Sequence, residues 1–416
     1  MRITHVITRL IVGGAQENTI ATVLGLRRKP GVDIHLISGP TAGREGSLEW
    51  ELDAPGGARP SVPGAPSNAG TGAHEATNPA SAPLLTVIPE LVRPVHPWKD
   101  LVALRKLENT FGAQRPDIVH THSGKAGILG RLAAARANVP LIIHTIHGPS
   151  FGSFQGALAN FIFRGAEQRA ARVTTHFVAV ADAMIQQYLA AGIGRRDQYT
   201  KVFSGFALEP FLLAKNDLQL RARWKLKPDN IVIGKIARLF KLKGHEDLFA
   251  IAPELVRRCP QIRFLLVGDG PGRARFEEKV RSAGLTEHFV LTGLVPPADL
   301  PGLVGIMDIL VHLSRREGLP RVLPQALAAA RPIVAYDCDG AREVCFDHAT
   351  GFLVPPGQWP CLGDRLLRLA RDADLRAQFG RRGQQFVREH FAVEQMVDHI
   401  YDLYRKLAAQ RGLPVP

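Results

Sequence analysis

Cysteine is scarce in this sequence: four among 416 residues, and all four (Cys259, Cys338, Cys345, Cys361) fall in the second half with no C-x-x-C pair. That excludes a disulfide scaffold, a zinc ribbon and a dithiol redox centre, and it fits a reducing compartment. Long hydrophobic runs are missing too. The N-terminal run MRITHVITRLIVGG is cut by Arg9 and the following glycines, well short of a signal-peptide core. No stretch approaches the roughly 18 apolar residues of a spanning helix. The expected location is cytoplasmic, with any membrane contact peripheral and at the inner face of the cytoplasmic membrane. There is also no block of like charge. The net charge is +14, but the excess of Lys and Arg is spread over both halves. A spread excess argues against a nucleic-acid-binding arm and for attraction to phosphorylated substrates, lipid headgroups or other anions.

What remains is a globular composition, 45% hydrophobic and 22% charged, long enough for two or three domains. Ile3 to Thr8 reads as a strand that passes through Gly13 and Gly14 into a helix from about Ala15 to Arg28, followed by a strand from Asp33 to Ser38. Helix, strand, helix and strand recur at Leu101 to Phe111, Asp117 to His120, Lys125 to Arg136 and Leu141 to Thr145. A second series places strands at Ile231 to Ile236, Arg263 to Val267, Val290 to Thr292, Ile309 to Leu313 and Ile333 to Tyr336. Repeated βα units with continuous apolar strands predict parallel sheets covered on both faces, hence an α/β protein of two doubly wound domains. Their strand C-termini should face a common cleft, where such folds bind ligands.

One segment interrupts this pattern. From Ala54 to Pro83, 24 of 30 residues are Ala, Pro, Gly, Ser or Thr, a composition that predicts a disordered surface insertion within the first domain. The expected divisions are 1–208 for a first domain, 209–390 for a second and 391–416 for a returning helix and tail. A hinge is expected between about Val202 and Pro228, and closing helices between Asp364 and Lys406.

Two segments carry candidate chemistry. IARLFKLKG (Ile236 to Gly244) follows the first strand of the second domain and puts Arg238 and Lys243 on a loop at the cleft. Two fixed cations there can neutralise a diphosphate in place of a metal ion; an isolated Arg/Lys pair on a loop can equally be solvated. SRREGLPRVLPQ (Ser314 to Gln325) again follows a strand. It places Glu317 and the amides of Gly318 and Leu319 at a predicted helix start, a position suited to anions and hydroxyls. Glu317 reads either as an acceptor for sugar hydroxyls or as an acid favoured by the helix dipole.

These segments, together with GGAQEN (Gly13 to Asn18), RPDIVHTHSGKAGILGRLAA (Arg115 to Ala134), HTIHG (His144 to Gly148) and LVGDGP (Leu266 to Pro271), resemble the retaining glycosyltransferases of family 4, which have the GT-B fold. The resemblance runs over nearly the whole chain outside the insertion. It implies that Gly13 and Gly14 form a loop near donor and acceptor and that His147 reaches the donor sugar from the first domain. It further implies that Arg238 and Lys243 hold the diphosphate and Glu317 contacts the transferred sugar. Gly268, Gly270, Gly318, Leu319 and Gln325 would complete the donor site, and the C-terminal helix would cross back to the first domain. The implied donor is a nucleotide diphosphate sugar, UDP-linked first and GDP-linked second, with no cofactor and no metal. In the family's E-x7-E pattern the second acid is here Gln325, which keeps an amide oxygen for a ribose hydroxyl but not the charge.

Three patterns mimic other chemistry. Asp337-Cys338-Asp339 imitates a D-x-D metal motif, but two acids make a poor site. His120-x-His122 would bind metal only with further ligands, and none has convincing spacing. Ser123-Gly124-Lys125 lacks the glycine frame of a P-loop. No enzymatic nucleophile stands out, and the resemblance implies front-face attack by the acceptor hydroxyl as the diphosphate leaves. VIPELVRPVHPWKDL (Val87 to Leu101) resembles polysaccharide and lipid-linked oligosaccharide transferases, implying a glycan or lipid-linked acceptor. In LANFIFRGAEQRAAR, Phe161, Ile162 and Phe163 mix with Arg164, Arg169 and Arg172, either a face for an anionic membrane or a core helix with a solvated edge. The alternatives to a transferase are a nucleotide-sugar epimerase on the same fold and a catalytically degenerate glycan-binding or scaffold protein.

Overall fold

The computed structural model describes residues 1–41, 46–53, 84–152 and 154–415; the insertion expected at 54–83 lies outside the described residues. The described chain forms two parallel sheets. The first holds β1 (Arg2–Ile7), β2 (Asp33–Ser38), β3 (Leu85–Val87), β4 (Ile118–His122), β5 (Leu141–Ile146), β6 (His176–Ala179) and β7 (Tyr199–Lys201) in the order β3-β2-β1-β4-β5-β6-β7. The second holds β8 (Ile231–Ile236), β9 (Ile262–Val267), β10 (Phe289–Gly293), β11 (Ile309–His312), β12 (Ile333–Tyr336) and β13 (Gly351–Val354) in the order β10-β9-β8-β11-β12-β13. Both are doubly wound, as the alternation of βα units predicts. β6, β7 and β13 escape the sequence reading because HFVA, YTK and GFLV are too short to show a period.

Gly14–Arg27 packs on β1 and β2 through Ile20, Val23 and Leu26, and the last helix, Val393–Gln410, lies against it from the far end of the chain. Met396, Val397, Ile400 and Leu407 join the same buried cluster as Ile3 and Ile7. At Gly25 any Cβ would stand 2.4 Å from Val397 Cγ2, so glycine is what lets the two helices approach. The C-terminal helix therefore completes the first domain, as expected from the resemblance.

The expected hinge resolves into two parts. Its second part is built into the second domain: Arg221, buried on the helix Leu218–Arg223, donates to the carbonyls of Asn230 (3.0 Å) and Ile306 (3.0 Å) and to Asp308 (2.9 Å). The crossing itself runs at Ser204 to Phe206, beside the returning chain at Phe391 and Ala392, where Phe206 and Ala392 form an isolated β-bridge. Phe206 N–H donates to Phe391 O (3.2 Å), and Phe203 stacks on Phe391 with centroids 4.8 Å apart. A continuous apolar cluster joins Ile146, Phe177 and Met184 of the first domain to Leu319, Leu323 and Ala341 of the second. The cleft between the sheets is thus walled by packed side chains.

Candidate functional site

A doubly wound sheet leaves a crevice outside its strand C-termini where the strand order reverses, and here the reversals fall between β1 and β4 and between β8 and β11. Segments after β1, β5 and β6 in the first sheet meet segments after β8 and β11 in the second around a cavity of about 430 Å³. Its walls include Gly14, Glu17 and His147 from one side and Arg238, Lys243, Glu317, Gly318, Leu319 and Gln325 from the other. Most of the residues singled out from sequence are therefore brought together. Gly13 stands just behind, as the residue capping the helix Gly14–Arg27.

Gly268 and Gly270 are not among the lining residues. They back onto the Arg238 loop: a Cβ would sit 2.4 Å from Ala237 O at Gly268 and 2.6 Å from Leu239 O at Gly270. Leu239 N–H also donates to Asp269 O (3.0 Å), so the two loops hold one another and Arg238 is positioned through them. The helix after β11 begins at Val322, later than the sequence reading placed it. The amides of Gly318 and Leu319 consequently lie in the turn ahead of that helix and not in its first turn.

Lys243 and Glu317 form an ion pair across the cavity floor. Glu317 Oε1 also accepts from Ser314 Oγ (2.8 Å), and its backbone N–H donates to Asp339 Oδ2 (2.6 Å). Burial raises the pKa of the Glu317 carboxyl, but the Lys243 ammonium, His312 and the Ser314 hydroxyl outweigh it and hold the group below the usual range. Beneath the pair, burial brings Lys235 on β8 down to about 7 and His312 on β11 down to about 3. Lys235 Nζ and His312 Nε2 have no hydrogen-bond partner among the described residues.

The second domain also grips the first. A Cβ at Gly318 would fall 1.9 Å from His147 O, so only glycine permits this contact. Arg316 donates to Pro149 O, and Arg321 pairs with Glu17 across the cleft at 2.5 Å. Glu17 and Arg321 lie inside segments quoted above, yet sequence reasoning did not select them, because nothing local signals a pairing between residues so distant in the chain. His312 and Ser204, also cavity residues, were missed for the same reason.

The carboxylates of the D-x-D look-alike are both engaged, Asp337 by Arg342 (2.9 and 2.5 Å) and Asp339 by the Glu317 amide. The His120-x-His122 pair, for which the sequence offered no third ligand, gains one from β1: nitrogens of His5, His120 and His122 come within 4.8 Å of one another. Each of the six ring nitrogens already faces a protein partner. Burial lowers all three pKa values far below the ordinary histidine range, and lowers His147 to about 3, with Arg321 contributing, so the four rings are neutral.

On the helix Ala157–Ala171, which follows the His147 loop, only Glu167 and Ala170 are fully buried. Leu158, Phe161 and Ile162 are exposed (73%, 75% and 55%), as are Arg164, Arg169 and Arg172. Phe163 and Ala171 pack against the core, so the helix is held on one side while Leu158, Phe161 and Ile162 face outward. Among the described residues no helix is long and apolar enough to cross a membrane.

Residues 13–202 match the Glycosyl transferase 4-like domain, and residues 216–386 match Glycosyl transferases group 1. The chain is 26% identical to the UDP-Gal:alpha-D-GlcNAc-diphosphoundecaprenol alpha-1,3-galactosyltransferase of Escherichia coli, over 76% of this chain and 82% of that one. It is 24% identical to the capsular polysaccharide biosynthesis glycosyltransferase CapM of Staphylococcus aureus, over 76% and 84% respectively. Among solved structures, Anabaena HepE in complex with UDP-glucose superposes with a TM-score of 0.77 at 21% identity, covering 98% of this chain and 100% of that one.

Proposed function

This chain is a glycosyltransferase built from a 4-like domain and a group 1 domain, and we propose that it transfers a sugar from a UDP-sugar to a lipid-linked glycan, with retention and without a metal ion. The observation that carries this reading is the convergence of Arg238, Lys243, Glu317, Gln325 and His147 on one cavity between the strand ends of both sheets. Lys243 and Arg238 supply positive charge where a diphosphate leaves, and electrostatic stabilisation of that kind does not require a metal. In the free chain Glu317 occupies Lys243. A bound diphosphate takes over the ammonium and frees the carboxylate to accept from sugar hydroxyls.

Reaction then follows by positioning. The acceptor oxygen bonds to the anomeric carbon from the face the leaving group departs, and the bond from that carbon to the β-phosphate oxygen breaks. The hydroxyl proton passes to the departing phosphate, giving a glycoside of unchanged anomeric configuration and a nucleoside diphosphate. The donor base is supported by the UDP-Gal of the Escherichia coli relative and the UDP-glucose of HepE. The acceptor class is supported by the diphosphoundecaprenol in the former's name and by the outward Leu158, Phe161 and Ile162 flanked by arginines, a surface fit for anionic lipid. The two relatives above are named as transferases, which supports a transferase over an epimerase.

The test is nucleoside diphosphate release from a panel of UDP- and GDP-sugars in EDTA, with and without diphosphoundecaprenol-linked saccharides. Acceptor-dependent UDP release with an α-linked product from an α-linked donor is expected. Acceptor-independent isomerisation, or binding without turnover, overturns the reading. Sedimentation with anionic vesicles tests the membrane face: Phe161→Ser should release the protein into the supernatant, and equal retention would show that this helix does not dock.

A further inference from the structure

His147 is held from behind the cavity by a run of hydrogen bonds that leads to the last helix. Its Nε2 lies 3.1 Å from Nδ1 of His122, and Nε2 of His122 lies 2.9 Å from Nδ1 of His5. Nε2 of His5 lies 3.2 Å from the hydroxyl of Tyr404, which also contacts Nδ1 of His120. Nε2 of His120 lies 2.6 Å from Thr145 Oγ1. The His5, His122 and His147 rings stack in sequence, with centroids 5.1 and 5.3 Å apart and planes 17° and 29° from parallel. Strands β1, β4 and β5 each contribute to this run, and Val393–Gln410 supplies its middle link.

Each member has one proton to place. A neutral imidazole donates from one nitrogen and accepts at the other, so the direction of any link fixes the direction of the next. Two directions are available. In the first, the Thr145 hydroxyl donates to His120, His120 to Tyr404, Tyr404 to His5, His5 to His122 and His122 to Nε2 of His147, leaving the His147 proton on Nδ1. In the reverse, His147 is protonated on Nε2 and the run ends with His120 donating to Thr145. The Thr145 hydroxyl proton would then need an acceptor of its own, yet Thr145 is buried and His120 is the side-chain hydroxyl's partner among the described residues. A buried donor without an acceptor is costly, so the first direction prevails.

We propose that Thr145, His120, Tyr404, His5 and His122 form a positioning array that fixes His147 as its Nδ1–H tautomer, presenting the cavity with a neutral hydrogen-bond donor for an oxygen of the sugar. The choice of sugar as occupant rests on the function proposed above; the tautomer does not. The array gives the returning helix a second task besides packing, because the Tyr404 hydroxyl is the link between His120 and His5. It also gives each of the three clustered histidines a use for its lone pair, so the run and a metal ion bound to these rings exclude one another.

The experiment is long-range 15N–1H correlation spectroscopy on the full-length protein labelled with 15N-histidine, without ligand, with His147→Gln used to assign the His147 signals. The expected result is a protonated Nδ1 and a bare Nε2 at His147. Tyr404→Phe and Thr145→Val, which remove a hydroxyl at nearly constant shape, should each shift His147 toward the Nε2–H form. In turnover they should lower kcat/KM for the sugar donor about tenfold while leaving the affinity for the free nucleoside diphosphate unchanged, a split that general loosening of the fold would not produce. His147 protonated on Nε2 in the wild type overturns the proposal, as does a tautomer that neither variant moves. So does stoichiometric zinc in the purified protein whose removal shifts the His5 and His122 signals. Because the tautomer is read without ligand, an expected spectrum in a protein that transfers no sugar would overturn the function alone.

Discussion

The first domain backs the cavity with a run of neutral histidines and brings one charged group to it, Glu17, whereas the second lines it mainly with charge. His147 lines the first wall, and behind it stand His122, His5 and His120, buried and uncharged; the second wall presents Arg238, Lys243, Glu317 and Arg321. Both domains are wound the same way and both use the loops at their strand ends, so topology places the groups and does not choose their charge. The division matches the two parts of a nucleotide sugar. A diphosphate needs cations, while an uncharged sugar needs directional hydrogen bonds that cost no ion desolvation.

The sharpest way to separate the two domains is acid. Burial lowers His5, His120, His122, His144 and His147 far below the ordinary histidine value of 6.5. Below pH 6.5 the unfolded chain binds these protons and the native chain does not, so stability falls as pH falls, by about 1.4 kcal/mol per pH unit for each histidine. Denaturant midpoints should therefore drop steeply between pH 6.5 and pH 4.5. His144→Gln, outside the run that holds His147, should flatten the slope by about one histidine's share. The second domain's buried Lys235 acts in another window. Between pH 7 and pH 10.5 the unfolded lysine is protonated and the native one is not, so its contribution to stability rises with pH. A pH-independent midpoint from 7 to 5 would show that the histidines are protonated in the native state.

Next in size are the ion pairs that brace each domain. Arg131 and Glu167, on the helices Gly124–Arg136 and Ala157–Ala171, meet at 2.6 Å with both side chains fully buried. Arg221 and Asp308 meet at 2.9 Å with the carboxylate partly exposed (16%), and Arg221 keeps four backbone carbonyls besides. Arg131 also donates to Gly127 O (2.7 Å), but Glu167→Gln leaves its buried charge without a counter-charge and should cost about 3–5 kcal/mol in unfolding free energy. Asp308→Asn should cost clearly less. Equal losses would mean that the carbonyls around Arg221 do little to support it.

The contrast between the domains also marks what the sequence could reveal. The second wall was largely legible, because Arg238, Lys243 and Glu317 each follow an apolar strand and fixed charge at a strand end is a local signal. The first wall was not. His5 is one residue in a strand, His120 and His122 lie on another, and Tyr404 reads as one more apolar position of a helix; only the sheet order joins them. Glu17 and Arg321 were hidden for a related reason, since their pairing depends on how two domains dock. The helix Ala157–Ala171 was ambiguous for another reason: its sequence does not say which apolar residues turn inward, and Phe163 packs on the core while Leu158, Phe161 and Ile162 are exposed.

Within the charged wall, Lys243→Ala should lower kcat by at least about tenfold through lost stabilisation of the leaving diphosphate. Its thermal midpoint should change little, because Lys243 is partly exposed and its ion-pair partner among the described residues is Glu317 alone. Unchanged turnover would remove Lys243 from the phosphate site. A smaller effect is expected where the wall has given up a charge. Gln325 lies on the helix Val322–Ala328, nearly buried, and its side chain reaches the cavity. An amide oxygen accepts a neutral hydrogen bond, whereas a carboxylate accepts a charge-assisted one, roughly twice as strong, and must first be desolvated. These effects oppose each other, so Gln325→Glu should tighten UDP binding only a fewfold, measured by titration calorimetry in EDTA. The gain should vanish with 2′,3′-dideoxy-UDP, which lacks both ribose hydroxyls. A gain that survives in that analogue would mean that the carboxylate acts on the field of the whole cleft, where Arg238, Lys243 and Arg321 already dominate, and not on the ribose.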